Sequence, residues 1–157
     1  MTKFQMLNIL RHHLSDEQKI GWPSDVELNA FLDRAAETVS ERLASDRDPS
    51  LVASLTVSGP TSLPDDFLAF VGKVPIAIVD RVASPYEGAT VTADYWRMLP
   101  RPSAFQDADE VPCTTEQAGL IIDLARIYAL NKNEYDISQD LALLGQTTKS
   151  IAAVRGR

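Results

Sequence analysis

The hydrophobic period of the chain changes twice, near residue 50 and again near residue 113. Before the first change and after the second, apolar residues recur every three or four positions, as they do on one face of a helix. Between the two changes the sequence is rich in β-branched residues that alternate with others, as in LVASLTVSG and VPIAIVDRV, which is typical of strands. The pattern predicts an α+β chain in which a β segment separates helical segments.

The helical segments predict a fold that is mainly α. Helices are expected at about residues 3–14, 24–44, 114–133 and 138–152, the last one weakened by Gly145. Ser24 and Thr114 stand three residues before Glu27 and Gln117, which is the capping-box spacing at a helix start. We therefore expect one domain over residues 1–157, a bundle of three to four helices with a small antiparallel β insertion at about residues 51–99 and an extended C-terminal tail.

The β insertion contains one predicted hairpin. VPIAIVDRV is expected to pair with TVTADYWRML through the turn PYEGA, and LPDDFLAF is expected to form a single amphipathic helical turn. Pro75 predicts a strand start or an edge position, because proline has no N–H to donate to a ladder. Pro100 and Pro102 are expected to stop the last strand for the same reason.

Residues with catalytic or metal-binding chemistry do not converge in the sequence. His12 and His13 point about 100° apart on a helix and cannot easily share one metal ion. Asp65 and Asp66 are expected to stabilise the N-terminus of a short helix. The carboxylates at 107–110 are expected to lie in a solvated loop. Cys113 is expected to be a buried or idle thiol. The sequence therefore predicts no catalytic, cofactor or metal site, and not an enzyme.

The charge of the chain is unevenly distributed. Its net charge is −7, but no acidic residue follows Asp140, whereas three basic residues do. An acidic body repels nucleic acid, which disfavours a conventional DNA-binding protein, whereas a basic tail can dock on an acidic protein surface. The alternative that stays open is a solvated chain end. The candidate contact residues of this tail are Lys149, Ile151, Arg155 and Arg157.

A second candidate interface is the segment Tyr95, Trp96 and Arg97. At strand spacing two neighbouring side chains face opposite sides of a sheet. We expect Trp96 to face outward and to anchor a neighbouring subunit, as large aromatics often do at interfaces. The alternative is that one ring belongs to the core while the other covers an edge.

Membrane insertion and secretion are not expected from this sequence. No apolar run approaches the ~20 residues of a membrane span. The first residues, MTKFQMLNIL, do not have the basic and apolar regions of a secretory leader. We therefore expect synthesis in a cytoplasm.

The order of these segments resembles the head-to-tail connector adaptor proteins of tailed bacteriophages. The resemblance lies in a capped long helix, a segment closing on LPDDF, a β-hairpin ending in YWRMLP, and the helix in GLIIDLARIYALNKNEYD. It implies a virion protein at the head–tail interface, made in the host cytoplasm. Identical subunits, commonly twelve, would form a ring that binds the portal protein and a tail or nozzle protein. DNA would pass through its lumen without specific binding, and no cofactor would be needed.

Two other classes of function stay open at the level of the sequence. One is a small enzyme or ligand-binding protein whose site is assembled in space. The other is a helical transcriptional regulator, which requires a basic recognition helix that residues 114–133 do not provide.

Overall fold

The computed structural model of the chain describes residues 1–133 and Gly145. The chain divides into two compact units. The helical unit consists of Met1–Asp46 and the chain from Leu99 onward, and the β unit consists of Arg47–Met98. The predicted limits of the β insertion, about residues 51–99, agree closely with the second unit. Whether residues 1–157 fold as a single domain stays a prediction.

The helical unit contains three α-helices in its described part. They are α1 (Lys3–His13), α2 (Asp25–Ser45) and α3 (Thr115–Leu130), with short 3₁₀ turns at Pro102–Ala104 and Asn131–Asn133. Thr2 and Thr114 each form the capping box, and Thr114 pairs with Gln117 as predicted. Ser24 does cap α2, but its hydroxyl accepts from the N–H of Val26 rather than from Glu27.

The core of the helical unit consists of apolar side chains on one face of α1, on one face of α2 and around most of α3. α2 packs closely against α3, and α1 packs against both. The largest side chains of this core are fully buried: Met6, Leu10, Leu28, Leu32, Leu43, Ile121, Ile122 and Leu124. Burying such side chains stabilises the fold by roughly 1.5–3 kcal/mol each.

The β unit contains two antiparallel sheets of three strands. The strands are β1 (Val52–Val57), β2 (Thr61–Ser62), β3 (Phe67–Phe70), β4 (Ile76–Val79), β5 (Val82–Pro85) and β6 (Val91–Arg97), preceded by a 3₁₀ turn at Pro49–Leu51. One sheet has the order β1-β6-β3 and the other the order β2-β5-β4. Their inner faces share a core of their own, made of Val57, Leu63, Ile76, Ala83 and Ala93.

The predicted fold class is wrong in its main part, although α+β is correct. The chain is not a helical bundle with a minor insertion, because its β segment forms two full sheets around a separate core. Residues 67–70, predicted as part of a helical turn, form β3 and pair with β6. Asp65 and Asp66 therefore stand before a strand and not at a helix start, which corrects that expectation as well.

The predicted hairpin is also wrong. VPIAIVDRV does not pair with TVTADYWRML, because it contains a turn at Asp80 and Arg81. Both residues have positive φ values, 49° and 61°, as a two-residue hairpin turn of the mirror-image type requires. β4 and β5 form the hairpin, and β6 instead lies between β1 and β3. The turn at Asp80 and Arg81 contains no Gly or Asn, so the sequence did not predict a hairpin there.

Two predictions from proline are confirmed. Pro75 directly precedes β4, which is an edge strand. β6 ends at Arg97, three residues before Pro100.

The predicted helix at 138–152 and the C-terminal tail lie outside the described residues except for Gly145, which is helical. The helix expected at 114–133 ends at Leu130.

Candidate interaction surfaces

Tyr95 is a buried residue of the central strand β6, with 6% of its surface exposed. Its ring stacks on Phe67, with 5.4 Å between ring centroids, and its hydroxyl donates to Asp66 Oδ1 at 3.1 Å. Burial and the negative charge of Asp66 raise the pKa of the Tyr95 hydroxyl. These contacts make Tyr95 a structural residue of the β unit, so it does not present a free surface to a partner.

Trp96 and Arg97 are half-buried at the end of the same strand. Trp96 lies between Val52 of β1 and Ala69 of β3 in the ladder, so its side chain points to the sheet face opposite that of Tyr95. The role of Trp96 as a contact with another subunit stays a prediction. The other candidates, Lys149, Ile151, Arg155 and Arg157, lie outside the described residues.

The β4–β5 hairpin has an outward face that carries no charge. Ile76 and Ala83 face the core of the β unit, so the alternate residues on the two strands face away from it. Val79 lies opposite Val82, and Ala77 lies opposite Ser84. Val79 is 68% exposed, and Tyr86, which directly follows β5, is 70% exposed. Exposed apolar surface of this kind, when it is contiguous, is typical of protein contacts. The sequence did not reveal this face, because β4 and β5 were predicted as one strand.

The backbone of β4 is the second feature of this hairpin. Tyr86 donates its N–H to the carbonyl of Pro75 at 3.1 Å. Hydrogen-bonded and non-hydrogen-bonded pairs alternate in an antiparallel ladder. Because Pro75 and Tyr86 form a hydrogen-bonded pair, Ile76 and Ile78 belong to the non-hydrogen-bonded pairs. Their N–H and C=O groups therefore point away from β5, toward the edge of the sheet. The strand itself contains no charged residue or proline of the kind that usually protects an edge.

Residues 15–23 join α1 to α2, and we call this segment the finger loop. Its centre is the carboxylate of Asp16, which is 6% exposed. One oxygen accepts from the N–H of Gly21 at 2.7 Å, and the other accepts from Arg11 Nη1 at 2.7 Å and from the N–H of Trp22 at 3.2 Å. Arg11 also donates to Trp22 O at 2.9 Å and to Asp25. Arg11 and Asp16 therefore link the end of α1 to Trp22 and to Asp25 at the start of α2.

The finger loop holds Ile20 in solvent. Ile20 is 81% exposed, more than any other large apolar residue of the part of the chain that the structure describes. Trp22 packs edge-on against Phe31 with 5.7 Å between centroids, and the Lys132 ammonium lies 5.0 Å from the Trp22 ring. The base of the loop is therefore packed, whereas its tip is apolar and open.

A shallow groove runs along one side of α1, from its start to Ile9. It is lined by Met1, Phe4, Gln5, Asn8, Ile9 and Thr115, it has a volume of about 460 Å³, and its surface is mostly apolar. The acidic loop at 107–110 runs beside it, since Lys3 N and Phe4 N donate to the carbonyls of Asp109 and Asp107. The Asp107 carboxylate lies 3.6 Å from Lys3 Nζ, so it is paired within the same chain.

The remaining residues that the sequence offered for catalysis or metal binding have structural contacts or lie in solvent. His12 contacts Glu17 at 2.8 Å, and the backbone N–H and His12 together lower the pKa of the Glu17 carboxyl. Burial raises the pKa of the Cys113 thiol, so the neutral form is favoured. Within residues 1–133, no three His, Cys, Asp or Glu side chains lie where they could share a metal ion.

Comparisons with other proteins do not identify the chain. It matches no family model, no curated protein and no solved structure. Among the helices that the structure describes, none is long and apolar enough to cross a membrane.

Proposed function

We propose that this protein is an adaptor of the head-to-tail connector of a tailed bacteriophage. In this role, copies of the chain form a ring, join the portal of the capsid to the tail, and extend the channel through which DNA passes. It acts as a structural protein of the virion and does not catalyse a reaction.

The observation that carries this proposal is the exposed apolar surface of the inserted β unit. The outward face of the β4–β5 hairpin is uncharged, and its edge strand offers free backbone groups in the register of a strand. A face of this kind favours contact with another protein chain. Trp96, on the other sheet of the same unit, is the proposed anchor for a neighbouring or tail subunit.

The order of the elements also supports the proposal. A long capped helix, a β unit and a buried helix follow one another in the chain as α2, the β unit and α3. The resemblance to connector adaptors rests on this order and not on the hairpin ending in YWRMLP, because β6 pairs with β1 and β3. An acidic net charge suits a channel wall, since it repels DNA that must slide without binding.

The portal contact is assigned to the residues from about Gly145 onward, whose basic side chains suit an acidic docking surface. Removing the chain from Gly145 should abolish binding to the portal protein encoded with it, measured by co-sedimentation. The β unit and α1 to α3 stay in the truncated chain as an internal control for folding. Unimpaired binding by the truncated chain would contradict the assignment.

Trp96 provides a second test. Trp96→Ala should weaken assembly on the portal at least about tenfold while the circular dichroism spectrum stays that of a folded chain. Val71→Ala, at an apolar position that is 37% exposed, is the matched control and should assemble normally. If Trp96→Ala unfolds the protein, Trp96 is a core residue and not an anchor.

A further inference from the structure

We propose that β4 pairs with β4 of a second copy of the chain, antiparallel and about a two-fold axis at Ala77. The pairing joins the β2-β5-β4 sheets of the two copies into one continuous sheet. It goes beyond the proposed function, because a two-fold pair is not a contact within a ring and concerns the chain before it joins the portal.

The backbone of β4 determines how a second strand can pair with it. The N–H and C=O groups of Ile76 and Ile78 point away from β5, whereas those of Ala77 point toward it. In an antiparallel pair, residues that exchange hydrogen bonds lie directly opposite each other. With Ile76 opposite Ile78 of the second copy, both isoleucines donate and accept across the contact. Ala77 then lies opposite Ala77 of the second copy, on the two-fold axis.

The charges at the two ends of β4 make the strand complementary to itself. Lys73 precedes the strand and Asp80 follows it, and both are exposed. Neither forms an ion pair within the described part of the chain. Because the strands run antiparallel, Lys73 of each copy comes within reach of Asp80 of the other, which favours a second copy as the occupant. Arg81 lies close to the same contact, but its Nη2 donates to Pro64 O of its own chain at 3.0 Å.

The pairing also covers apolar side chains that are exposed in a single copy. Val79, which is 68% exposed, comes opposite Pro75 of the second copy, and Ile78, which is 44% exposed, comes opposite Ile76. Tyr86 is the neighbour of Pro75 on the other side of the ladder, so its ring lies on the same sheet face as Val79 of the second copy. One contact therefore accounts for the exposed apolar residues of the β4–β5 hairpin.

The size of the contact makes the pair weak and reversible. One short strand from each copy buries far less than the ~1,200 Å² at the lower limit of a stable complex. An edge strand without charge or proline otherwise pairs with any extended chain that it meets. The two-fold pair shields this edge in the unassembled protein and separates when the chain joins the portal.

Disulfide trapping tests the register of the pair. In a Cys113→Ser background, Ala77→Cys places two thiols across a non-hydrogen-bonded pair, about 4.5 Å apart at Cα, which a disulfide can span. Val79→Cys is the matched control, because its two copies lie roughly 13 Å apart along the ladder. Under mild oxidation with copper phenanthroline, Ala77→Cys should dimerise at least about tenfold faster than Val79→Cys. Val79 is the more exposed position, so random collisions give the opposite order.

Further substitutions in the Ala77→Cys chain separate the backbone contacts from the charges. Ile78→Pro removes an N–H from the contact and should slow dimer formation at least about fivefold, whereas Ile78→Ala keeps the N–H and should slow it less. Lys73→Glu should slow it about two- to tenfold, and Asp80→Lys added to the same chain should restore the rate. Circular dichroism checks that each variant is folded.

Val79→Cys dimerising as fast as Ala77→Cys, or Ile78→Pro no slower than Ile78→Ala, would overturn the proposal. The outcome is separate from that of the proposed function. A ring on the portal without fast trapping contradicts this pairing alone, whereas fast trapping without a ring supports the pairing and contradicts the connector role.

Discussion

The helical unit and the β unit differ in how completely they bury their apolar residues. In the described part of the helical unit, three helices enclose the large buried side chains named above together with Val39 and Gln117. The core of the β unit is smaller, and Ile78, Val79 and Tyr86 stay exposed on one hairpin. A long helix supplies several inward positions, whereas strands of two to seven residues supply one to three each. Each unit leaves four large apolar side chains exposed in its described part, but the β unit is the shorter of the two, so it has more exposed apolar side chains for its length.

The largest difference should appear in matched core truncations. Ile121→Ala in α3 and Ile76→Ala in β4 remove the same atoms from positions that are 0% and 6% exposed. We expect losses of about 4 kcal/mol for Ile121 and about 2 kcal/mol for Ile76, because an edge strand can relax into the space. Urea unfolding measures both, with Trp22 reporting on the helical unit and Trp96 on the β unit. Equal losses would remove the contrast between the two cores.

The buried ion pair gives the next effect. Arg11→Ala leaves the buried Asp16 carboxylate without its cation, so the free energy of unfolding of the helical unit should fall by about 3 kcal/mol. Arg126→Ala, on the exposed side of α3, should change it by less than about 0.5 kcal/mol and is the control. A loss below about 1 kcal/mol for Arg11→Ala would mean that the finger loop does not depend on the pair.

In the β unit the corresponding polar contact is weaker. Tyr95→Phe removes the hydrogen bond to Asp66 and should lower the free energy of unfolding by about 1 kcal/mol at neutral pH. Trp96 fluorescence during urea unfolding measures the change. A loss as large as that of Arg11→Ala would contradict the ranking of the two contacts.

Tyr95 also gives the β unit a dependence on alkaline pH. Because burial and Asp66 raise its pKa, its contribution to stability is complete below the ordinary tyrosine pKa of about 10. That contribution is lost as the pH rises through the higher pKa of the folded state. Tyr95→Phe should remove this part of the loss, measured by unfolding at a series of pH values. Identical alkaline profiles for the two proteins would contradict the assignment.

The smallest effect is expected at the thiol of the helical unit. Burial raises the pKa of Cys113, so the folded protein should react more slowly with a thiol reagent near pH 8 than the chain unfolded in urea. The absorbance of the released chromophore gives both rates. Equal rates would show that the helical unit does not shield Cys113.

The sequence was sufficient to predict the helices but not the arrangement of the strands. Repeating apolar stripes, with Ser24 and Thr114 as caps, predicted α1, α2 and α3 to within a few residues, because helical contacts are local. Strand pairing depends on distant residues, and the turn at Asp80 and Arg81 has no Gly or Asn to announce it.

The candidate surfaces were harder to predict for the same reason. The uncharged hairpin face exists only once β4 and β5 pair, and the finger loop depends on Arg11 reaching Asp16 and Asp25 across the loop. The aromatic pair at 95 and 96 was visible in the sequence. The sequence did not reveal that Tyr95 is held by Phe67 and Asp66.

The connector role is tested most directly by electron microscopy of the full-length chain mixed with the portal protein encoded with it. We expect a ring of identical subunits seated on the portal, with monomers or weak oligomers when the portal is left out. A stable dimer in both samples, with bare portals, would contradict it.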